Sequence, residues 1–488
     1  MATQVVEWPD RMNPTDALFW LTDKIPEMRS TTAALLVLEH APARERVRAA
    51  FERLCENLPR LRQRVVPVPL ALAPPEWVDD AEFDLDYHLR HLAVSEPRSL
   101  DSLLEELGPL YATAFDPERP LWEAYAVEGL LDGRGALFVK LHHCVTDGIG
   151  GSRLFSELFG DRLEPDTVRL RRPAQVRSTT TGALVWRALL YNLGDALRNG
   201  AGTLGAVLTA VRRPDEALAG IQRGVRSALG MGQELTGSRA DSPLHQHRSL
   251  SRRLSTLEMG LGEIDAVRGP LRATNNDIVL TIVSGAMHRW HTSRGSDVRE
   301  LRAMVPVSVR GEEDVKAGNR LALLAVSLPI GEPNPLRRLR LIQERMGRVK
   351  TDRRATAYPV LARVLTALPL AVAEQLLRQQ TARTNFVCTN VPGPKHPCYF
   401  AGETIERIYP YAPLVGDHPV AIALFSYRDT MWVGLDVDAL AMDDLPHFRD
   451  AWRESYEEIL NIGRQGDIRL PRRPARRAAG RPGATATP

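Results

Sequence analysis

The sequence predicts a mixed α/β protein with two domains and a helical connector between them. The chain has 488 residues, which exceeds what one ordinary hydrophobic core holds. Short apolar runs typical of strands occur beside stretches of helical spacing in both halves, and a stretch rich in Ala, Leu and Gly separates the halves. We therefore place the first domain at residues 1–170, the connector at 171–250, the second domain at 251–470 and a disordered basic tail at 471–488.

The first domain is predicted from two helices and a strand. Apolar residues recur at helical spacing over residues 43–58 and 101–112, and Pro59 ends the first of these helices. Residues 135–141 form a short apolar run with Lys140 as its single charge, which predicts a strand.

The second domain repeats this mixture of elements. Predicted helices cover residues 278–288, 336–352 and 358–379, the last kinked at Pro369, and predicted strands cover 302–309, 386–389, 420–426 and 431–437. The connector carries apolar faces with interspersed Arg over residues 182–235. That pattern fits either a crossing between domains or contact with a lipid surface, and both interpretations stay open.

The composition excludes several classes of protein. The net charge of +3, from 63 basic and 60 acidic residues, is far below the excess typical of a nucleic-acid binder. The four cysteines form no C-x-x-C pair, and no secretory signal opens the chain. No apolar run reaches the ~18–20 residues of a spanning helix. We therefore expect a cytoplasmic protein with reduced thiols that meets a membrane only at its surface.

The segment from His142 to Gly148 carries the candidate chemistry. Successive side chains on a strand point to opposite faces, so His142 and His143 cannot easily share a metal ion, and we predict no metal site. One imidazole is expected to face a cavity and the other the core. A histidine at a strand end can take a proton from a hydroxyl. Asp147 either polarises that histidine or pairs with a buried Arg, and its position past a turn favours the second role.

This segment resembles the H-H-x-x-x-D-G active-site motif of the CoA-dependent acyltransferase superfamily. Further segments narrow the resemblance to the bacterial wax ester synthase/diacylglycerol acyltransferase family. They follow one another in that family's order at residues 12–19, 77–89, Pro120-Leu121-Trp122-Glu123, Asn276-Asp277, 305–310 with 318–319, and 390–394.

The resemblance implies two lobes of chloramphenicol acetyltransferase type with an active-site tunnel between them. It implies that His143 is the general base, which deprotonates an acceptor hydroxyl that attacks the thioester directly, without a covalent acyl-enzyme. His142 would support this base. Asp147 would orient the turn at Gly148 by pairing with Arg62, because Leu61-Arg62 resembles the segment that holds such a partner in related enzymes.

The other motif residues are candidates for binding substrate or lining the tunnel. They are Pro120, Leu121, Trp122, Glu123, Asn276, Asp277, Asn390, Pro392 and Gly393. Each group also has a purely structural interpretation: packing of a turn for the first four, a helix N-cap for the Asn-Asp pair, and a rigid turn for the last group.

The resemblance further implies the substrates. Long-chain acyl-CoA would be the donor, and diacylglycerol, a fatty alcohol or both would be the acceptor, with no cofactor and no nucleic acid. Such substrates favour a protein that lies peripherally on the inner membrane face or on lipid droplets. Two alternatives remain: the same chemistry on another alcohol or an amine, or a non-catalytic lipid-binding relative.

Overall fold

The structure is a computed structural model, and it describes most of the two predicted domains. The described residues are 8–131, 133–146, 158, 160, 179–199, 242–245, 247–308, 321–350, 362, 365–366 and 368–465. The predicted tail, most of the second half of the connector and the Asp147-Gly148 pair lie outside these residues.

Ten α-helices have both ends within the described residues. They are α1 (Pro14–Thr22), α2 (Arg44–Asn57), α3 (Leu85–His88), α4 (Leu100–Ala112), α5 (Thr181–Asn199), α6 (Leu261–Arg268), α7 (Asn275–Thr292), α8 (Pro335–Lys350), α9 (Leu370–Thr381) and α10 (Leu445–Arg464).

The strands of the described residues form two six-stranded sheets and one hairpin. They are β1 (Thr31–Leu38), β2 (Gln63–Val66), β3 (Glu76–Asp79), β4 (Leu89–Ala93), β5 (Trp122–Glu128), β6 (Gly135–His142), β7 (Arg252–Gly260), β8 (Leu301–Ser308), β9 (Leu321–Leu328), β10 (Phe386–Pro392), β11 (Tyr399–Phe400), β12 (Glu403–Tyr411), β13 (Val420–Tyr427) and β14 (Thr430–Asp438). The first sheet has the order β11-β12-β1-β6-β5-β4, the second has the order β7-β14-β13-β10-β8-β9, and β2 pairs with β3.

Local sequence explains where several elements begin and end. The helices predicted at 43–58 and 101–112 are α2 and α4, and Ser99 begins α4 through a capping box with Ser102. The strand predicted at 135–141 is β6. The predicted kink at Pro369 is wrong, because Pro369 is the N-cap from which α9 starts.

The first lobe surrounds the sheet that contains β6. Strands β1 and β6 pair antiparallel over their whole length in the middle of this sheet. Strand β12 pairs antiparallel with the other edge of β1, from Ala33 opposite Tyr411 to Leu38 opposite Ile405. The sheet of the first lobe therefore includes β11 and β12 from the 251–470 segment, and the proposed segment boundaries otherwise stay a prediction.

The second lobe packs four helices on one face of its sheet. Its core joins β13 and β14 to helices α6, α7, α8 and α10, with Ile422, Leu339 and Trp452 among the buried side chains. The opposite face meets the first lobe. At Gly434 on β14, an added Cβ would lie 1.8 Å from the Pro410 oxygen on β12, so only glycine permits this close approach.

Helix α1 lies between the two lobes. Its Leu18 is buried with Leu365, Leu368 and Ala373 of the second lobe, and the same helix contacts the turn that follows β6. The end of β6 therefore lies beside the second lobe, with α1 packed against it.

Within the described part of the chain, every helix is too short or too polar to cross a bilayer.

Candidate active site

Strand β6 fixes the positions of the two adjacent histidines. All of its residues are buried, and it ends at His142, after which His143 opens a short 3₁₀ turn. The His142 N–H donates to the Leu121 carbonyl over 3.0 Å, and the His143 N–H donates to the Ser30 carbonyl over 2.8 Å. Neighbouring backbone on both sides thus holds the main chain of this pair.

The ring of His142 is buried, and each of its nitrogens lies close to a neighbouring polar group. The Cys144 N–H donates to Nδ1 over 3.2 Å, and Nε2 lies 3.1 Å from Asp23 Oδ1. A backbone N–H can only donate, so Nδ1 must be the unprotonated nitrogen. In the neutral form of the ring the proton would then be on Nε2, the nitrogen that lies 3.1 Å from the Asp23 carboxylate.

The ring of His143 lies against an aromatic side chain. The centre of its imidazole is 4.5 Å from the centre of the Phe19 ring, with 37° between the ring planes. Burial lowers the pKa of His143 to about 4, and the neighbouring His142 acts in the same direction. His143 is therefore neutral at physiological pH, which is the protonation state that a general base requires.

Cys144 is unsuited to act as a nucleophile. Burial raises the pKa of its thiol well above the ordinary value, and the carboxylates of Asp16 and Asp23 raise it further. The thiolate is the reactive form of cysteine, so this side chain stays an unreactive thiol.

The Pro-Leu-Trp-Glu segment forms part of the first lobe's core. The Trp122 indole stacks on the rings of Phe51 and His88, at centre distances of 5.6 Å and 4.7 Å, and its N–H donates to the Leu61 carbonyl over 2.8 Å. These contacts favour the packing interpretation of the segment. Its four buried residues are Pro120, Leu121, Trp122 and Glu123.

A buried ion pair lies two residues before His142. Lys140 is fully buried, and its Nζ lies 3.4 Å from Glu123 Oε2 while donating to the carbonyls of Leu110 and Thr113. Burial lowers the pKa of Lys140, and the Glu123 carboxylate opposes that change. Glu123 thus compensates a buried charge, which is a structural task.

Arg62 lies at the end of a 3₁₀ turn, next to Leu61, whose carbonyl accepts the Trp122 indole N–H. The Arg62 carbonyl accepts the Asp80 N–H over 2.8 Å. Its predicted partner Asp147, with Gly148, lies outside the described residues, so this pairing stays a prediction.

Asn276 and Asp277 lie in the first turn of α7. The N-cap is Thr274, whose hydroxyl accepts the Asp277 N–H over 3.2 Å while the Asp277 carboxylate accepts the Thr274 N–H over 2.9 Å. The expectation of a helix start here holds, but the cap precedes the Asn-Asp pair and Asp277 completes the capping box.

Asn390, Pro392 and Gly393 lie at the end of β10 in the second sheet. Pro392 is exposed, and Asn390 is partly exposed opposite Leu424 of β13. The Gly393 N–H donates to Ser426 Oγ over 3.0 Å, which ties the strand end to β13.

The described residues contain no group of three or more His, Cys, Asp or Glu side chains that is able to hold a metal ion.

Sequence reasoning missed the side chains that surround the two histidines. Phe19 lies in the N-terminal motif at residues 12–19, so the sequence marked its position but did not indicate its role. Asp23 and Ser30 carried no signal, because only the packing of α1 and β1 brings them to the end of β6.

Comparison with known proteins identifies the family. Residues 12–279 match the model of the "Wax ester synthase/diacylglycerol acyltransferase catalytic domain", and residues 317–460 match that of the "WS/DGAT C-terminal domain". A Mycobacterium tuberculosis protein named "Probable diacyglycerol O-acyltransferase tgs1" is 29% identical over 446 residues, which cover 89% of this chain and 92% of that protein.

Two solved structures share the fold. The wax ester synthase/diacylglycerol acyltransferase from Marinobacter aquaeolei VT8 has a TM-score of 0.63 at 23% identity, over 93% of this chain and 99% of that one. The first condensation domain of the calcium-dependent antibiotic synthetase has a TM-score of 0.56 at 14% identity, over 94% of this chain and 97% of that one. The predicted two-lobed α/β fold is confirmed, and the chain belongs to the wax ester synthase/diacylglycerol acyltransferase family.

Proposed function

We propose that the protein transfers a long-chain acyl group from acyl-CoA to the hydroxyl of diacylglycerol or a fatty alcohol. The products would be free CoA and a triacylglycerol or a wax ester. The observation that carries this proposal is the neutral His143 imidazole at the end of β6, beside the second lobe, in a chain of this family.

The proposed reaction needs one proton acceptor. His143 takes the hydroxyl proton while the oxygen attacks the thioester carbonyl, and the tetrahedral intermediate then expels the CoA thiolate. The imidazolium returns its proton to the thiolate sulfur, which restores the neutral ring. Burial that lowers the pKa of His143 makes this imidazolium a stronger acid, so the second transfer is favoured.

The base and the orientation of the substrates would share the rate enhancement. A positioned general base contributes about 10²–10⁴ in rate, and alignment of two bound substrates contributes much of the rest. Cys144 takes no part, since its thiol stays protonated. We assign Asp147 and Arg62 to holding the turn at Gly148, and Asn390 with Pro392 to the wall of the substrate path between the lobes.

We further propose that the protein works at a lipid surface through α5. Four apolar side chains on one face of this helix are about half exposed or more: Trp186 (62%), Leu189 (51%), Leu190 (49%) and Leu193 (53%). Arg187 anchors the helix to Glu76 through a 2.7 Å ion pair, so the apolar stripe points outwards. Burial of such a stripe among lipid headgroups would bring an insoluble acceptor close to the enzyme.

The lipid-surface proposal is tested by flotation with phosphatidylcholine vesicles that contain diacylglycerol. We expect the wild type to float and the Leu190→Glu variant to lose most of its bound fraction. The matched control is Leu131→Glu, which alters an exposed leucine (68%) outside the stripe. Equal flotation of all three proteins would contradict a role for α5.

The acceptor is tested by thiol release from labelled palmitoyl-CoA. Dioleoylglycerol, hexadecanol, a short secondary alcohol and an alkyl amine are compared, with product identified by chromatography. We expect labelled triacylglycerol or wax ester to dominate. Ester or amide formed only with the last two acceptors would favour the alternative acceptor class, and thiol release equal to the buffer blank with all four would indicate a non-catalytic relative.

A further inference from the structure

Helix α1 contacts the histidine pair at two places. Phe19 lies on the ring of His143, and Asp23, the residue that ends the helix, reaches the ring of His142. The Asp23 N–H donates to the Phe19 carbonyl over 3.1 Å, which fixes the two residues relative to each other. One short helix therefore touches both imidazoles.

The ring of His142 holds the main chain on the far side of His143. The peptide N–H before the His143 Cα donates to Ser30, and the peptide N–H after it, from Cys144, donates to His142 Nδ1. These two bonds fix the backbone dihedral angles of His143, and with them the direction of its side chain. The bond from Cys144 requires that Nδ1 carries no proton.

The carboxylate of Asp23 selects this tautomer. It lies 3.1 Å from Nε2, where it favours the tautomer that has its proton on that nitrogen. Oδ1 also accepts the Ser30 N–H at 3.4 Å, which orients the carboxylate. Without it, a ring flip would place the Cδ2–H against the Cys144 N–H, and the other tautomer would place the Nδ1–H there. Either change would break the bond that holds the turn.

We propose that Asp23 is a positioning residue for the acyl transfer, acting through His142 on the direction of His143. This inference rests on the proposal that His143 is the base and assigns a role to a residue outside the family motifs. Asp23 would act through its contact with His142 and not on the substrates themselves.

Several other charged groups lie around this contact and do not replace it. Asp16 and Arg60 act electrostatically on Cys144, and Lys140 precedes His142 on β6 but is engaged by Glu123. Among the described residues, Asp23 is the carboxylate within ion-pair distance of His142 Nε2.

The test compares Asp23→Ala with Asp23→Asn in the full-length chain. For Asp23→Ala we expect kcat to fall about 10- to 100-fold, while KM for palmitoyl-CoA stays within about twofold, because the base is misdirected and binding is untouched. Asp23→Asn should keep at least about a third of the wild-type kcat, because an amide oxygen in place of the carboxylate oxygen can still favour a proton on the nearby Nε2. Asp86→Ala is the control, since it removes a carboxylate from an exposed ion pair with Arg48.

The tautomer of His142 is a second readout, because the loss of a purely structural contact at Asp23 would leave it unchanged. In long-range ¹H–¹⁵N spectra of ¹⁵N-histidine protein, we expect wild-type His142 to show a protonated Nε2 and an unprotonated Nδ1. Asp23→Ala should move both signals towards averaged positions, and Asp23→Asn should leave them. If Asp23→Ala does not fold, Asp23→Ser replaces it, because a serine side chain is too short to reach the ring.

An unchanged His142 tautomer in a folded Asp23→Ala or Asp23→Ser variant would overturn the proposal, and so would a wild-type kcat. Failure of the underlying base proposal looks different, because His143→Ala would then keep its activity. A His143→Ala variant without activity beside a fully active Asp23→Ala variant would overturn the positioning role alone.

Discussion

The two six-stranded sheets end very differently at the strands that carry the family motifs. Strand β6 of the first sheet ends in two imidazoles that α1 covers, whereas β10 of the second sheet ends in the exposed residues Val391 and Pro392. The covering helix excludes water, which lowers the pKa of His143, while the end of β10 bears no titratable side chain. Under the proposed mechanism, proton transfer would occur at the first lobe, and the end of β10 in the second lobe would line the substrate path without taking up a proton.

Both sheets also bury an ion pair, but in different settings. Glu123 and Lys140 pair inside the first lobe, beside the histidines. Asp436 and Arg252 pair over 2.9 Å on the face of the second sheet that meets the first lobe. The first pair therefore lies beside the strand of the site, and the second lies at the contact between the lobes.

The largest effect on stability is expected at the pair beside the histidines. Glu123→Ala leaves the fully buried Lys140 without its carboxylate, and breaking such a pair costs about 3–5 kcal/mol in free energy of unfolding. Urea unfolding measures this loss. The control Glu118→Ala removes a carboxylate that is 78% exposed from its pair with Arg64, and should cost no more than about 1 kcal/mol. Equal costs for the two variants would refute a special role for the buried pair.

The second effect depends on pH and tests the pair between the lobes. Burial raises the pKa of Asp436 to about 6 from 3.8, against the opposing effect of Arg252 and Arg248. The folded state therefore keeps this proton to a higher pH than the unfolded chain does. As pH rises from about 4 to about 6, the wild type should lose stability relative to Asp436→Asn, by up to about 3 kcal/mol. Melting curves of both proteins at several pH values in this range measure the effect. A difference in melting temperature that does not change with pH would contradict the raised pKa of Asp436.

A third, smaller effect is expected at the end of β10. A Cβ at Gly393 would lie 2.3 Å from the Ser426 carbonyl oxygen and 2.4 Å from the Phe425 ring, so Gly393→Ala should cost about 1–3 kcal/mol. The matched control is Gly262→Ala on α6, where an added Cβ meets no atom within 4 Å and where alanine should stabilise the helix by about 0.5–1 kcal/mol. If Gly262→Ala melted at a lower temperature than Gly393→Ala, the end of β10 would be able to shift and accommodate the added Cβ.

The smallest expected effect is on catalytic activity, when Asn390 at the end of β10 is substituted. Asn390 is partly exposed and bears no group that can take a proton at neutral pH, so Asn390→Ala should lower kcat/KM by no more than about tenfold. Steady-state kinetics with palmitoyl-CoA and dioleoylglycerol measures this change. If the loss were as large as the factor of about 10²–10⁴ expected for a missing general base, the second lobe would take part in the chemical step.

Local patterns predicted the elements whose shape depends on nearby residues. The spacing of Val47, Phe51 and Leu54 gave α2, and the apolar run after Gly135 gave β6. The pairing of β12 with β1 was not predictable in the same way. Alternating apolar residues indicate a strand but do not specify its partner, and these two strands come from opposite ends of the chain.

The same limit applies to the site. The motif located His143 because its residues are contiguous, and the resemblance supplied the role. Asp23 lies far from His142 in the sequence, and its carboxylate is indistinguishable there from any surface aspartate until α1 is packed against β6. Thr274 shows a smaller error of the same kind. The sequence pointed to Asn276 and Asp277 as the start of α7, whereas the N-cap is Thr274.

The most direct test of the central claim is the initial rate of His143→Ala in the palmitoyl-CoA assay, measured beside its melting temperature. If the neutral imidazole at the end of β6 removes the hydroxyl proton, the rate falls about 10²- to 10⁴-fold while the melting temperature stays close to that of the wild type. A folded His143→Ala protein that transfers the acyl group at the wild-type rate would contradict the account.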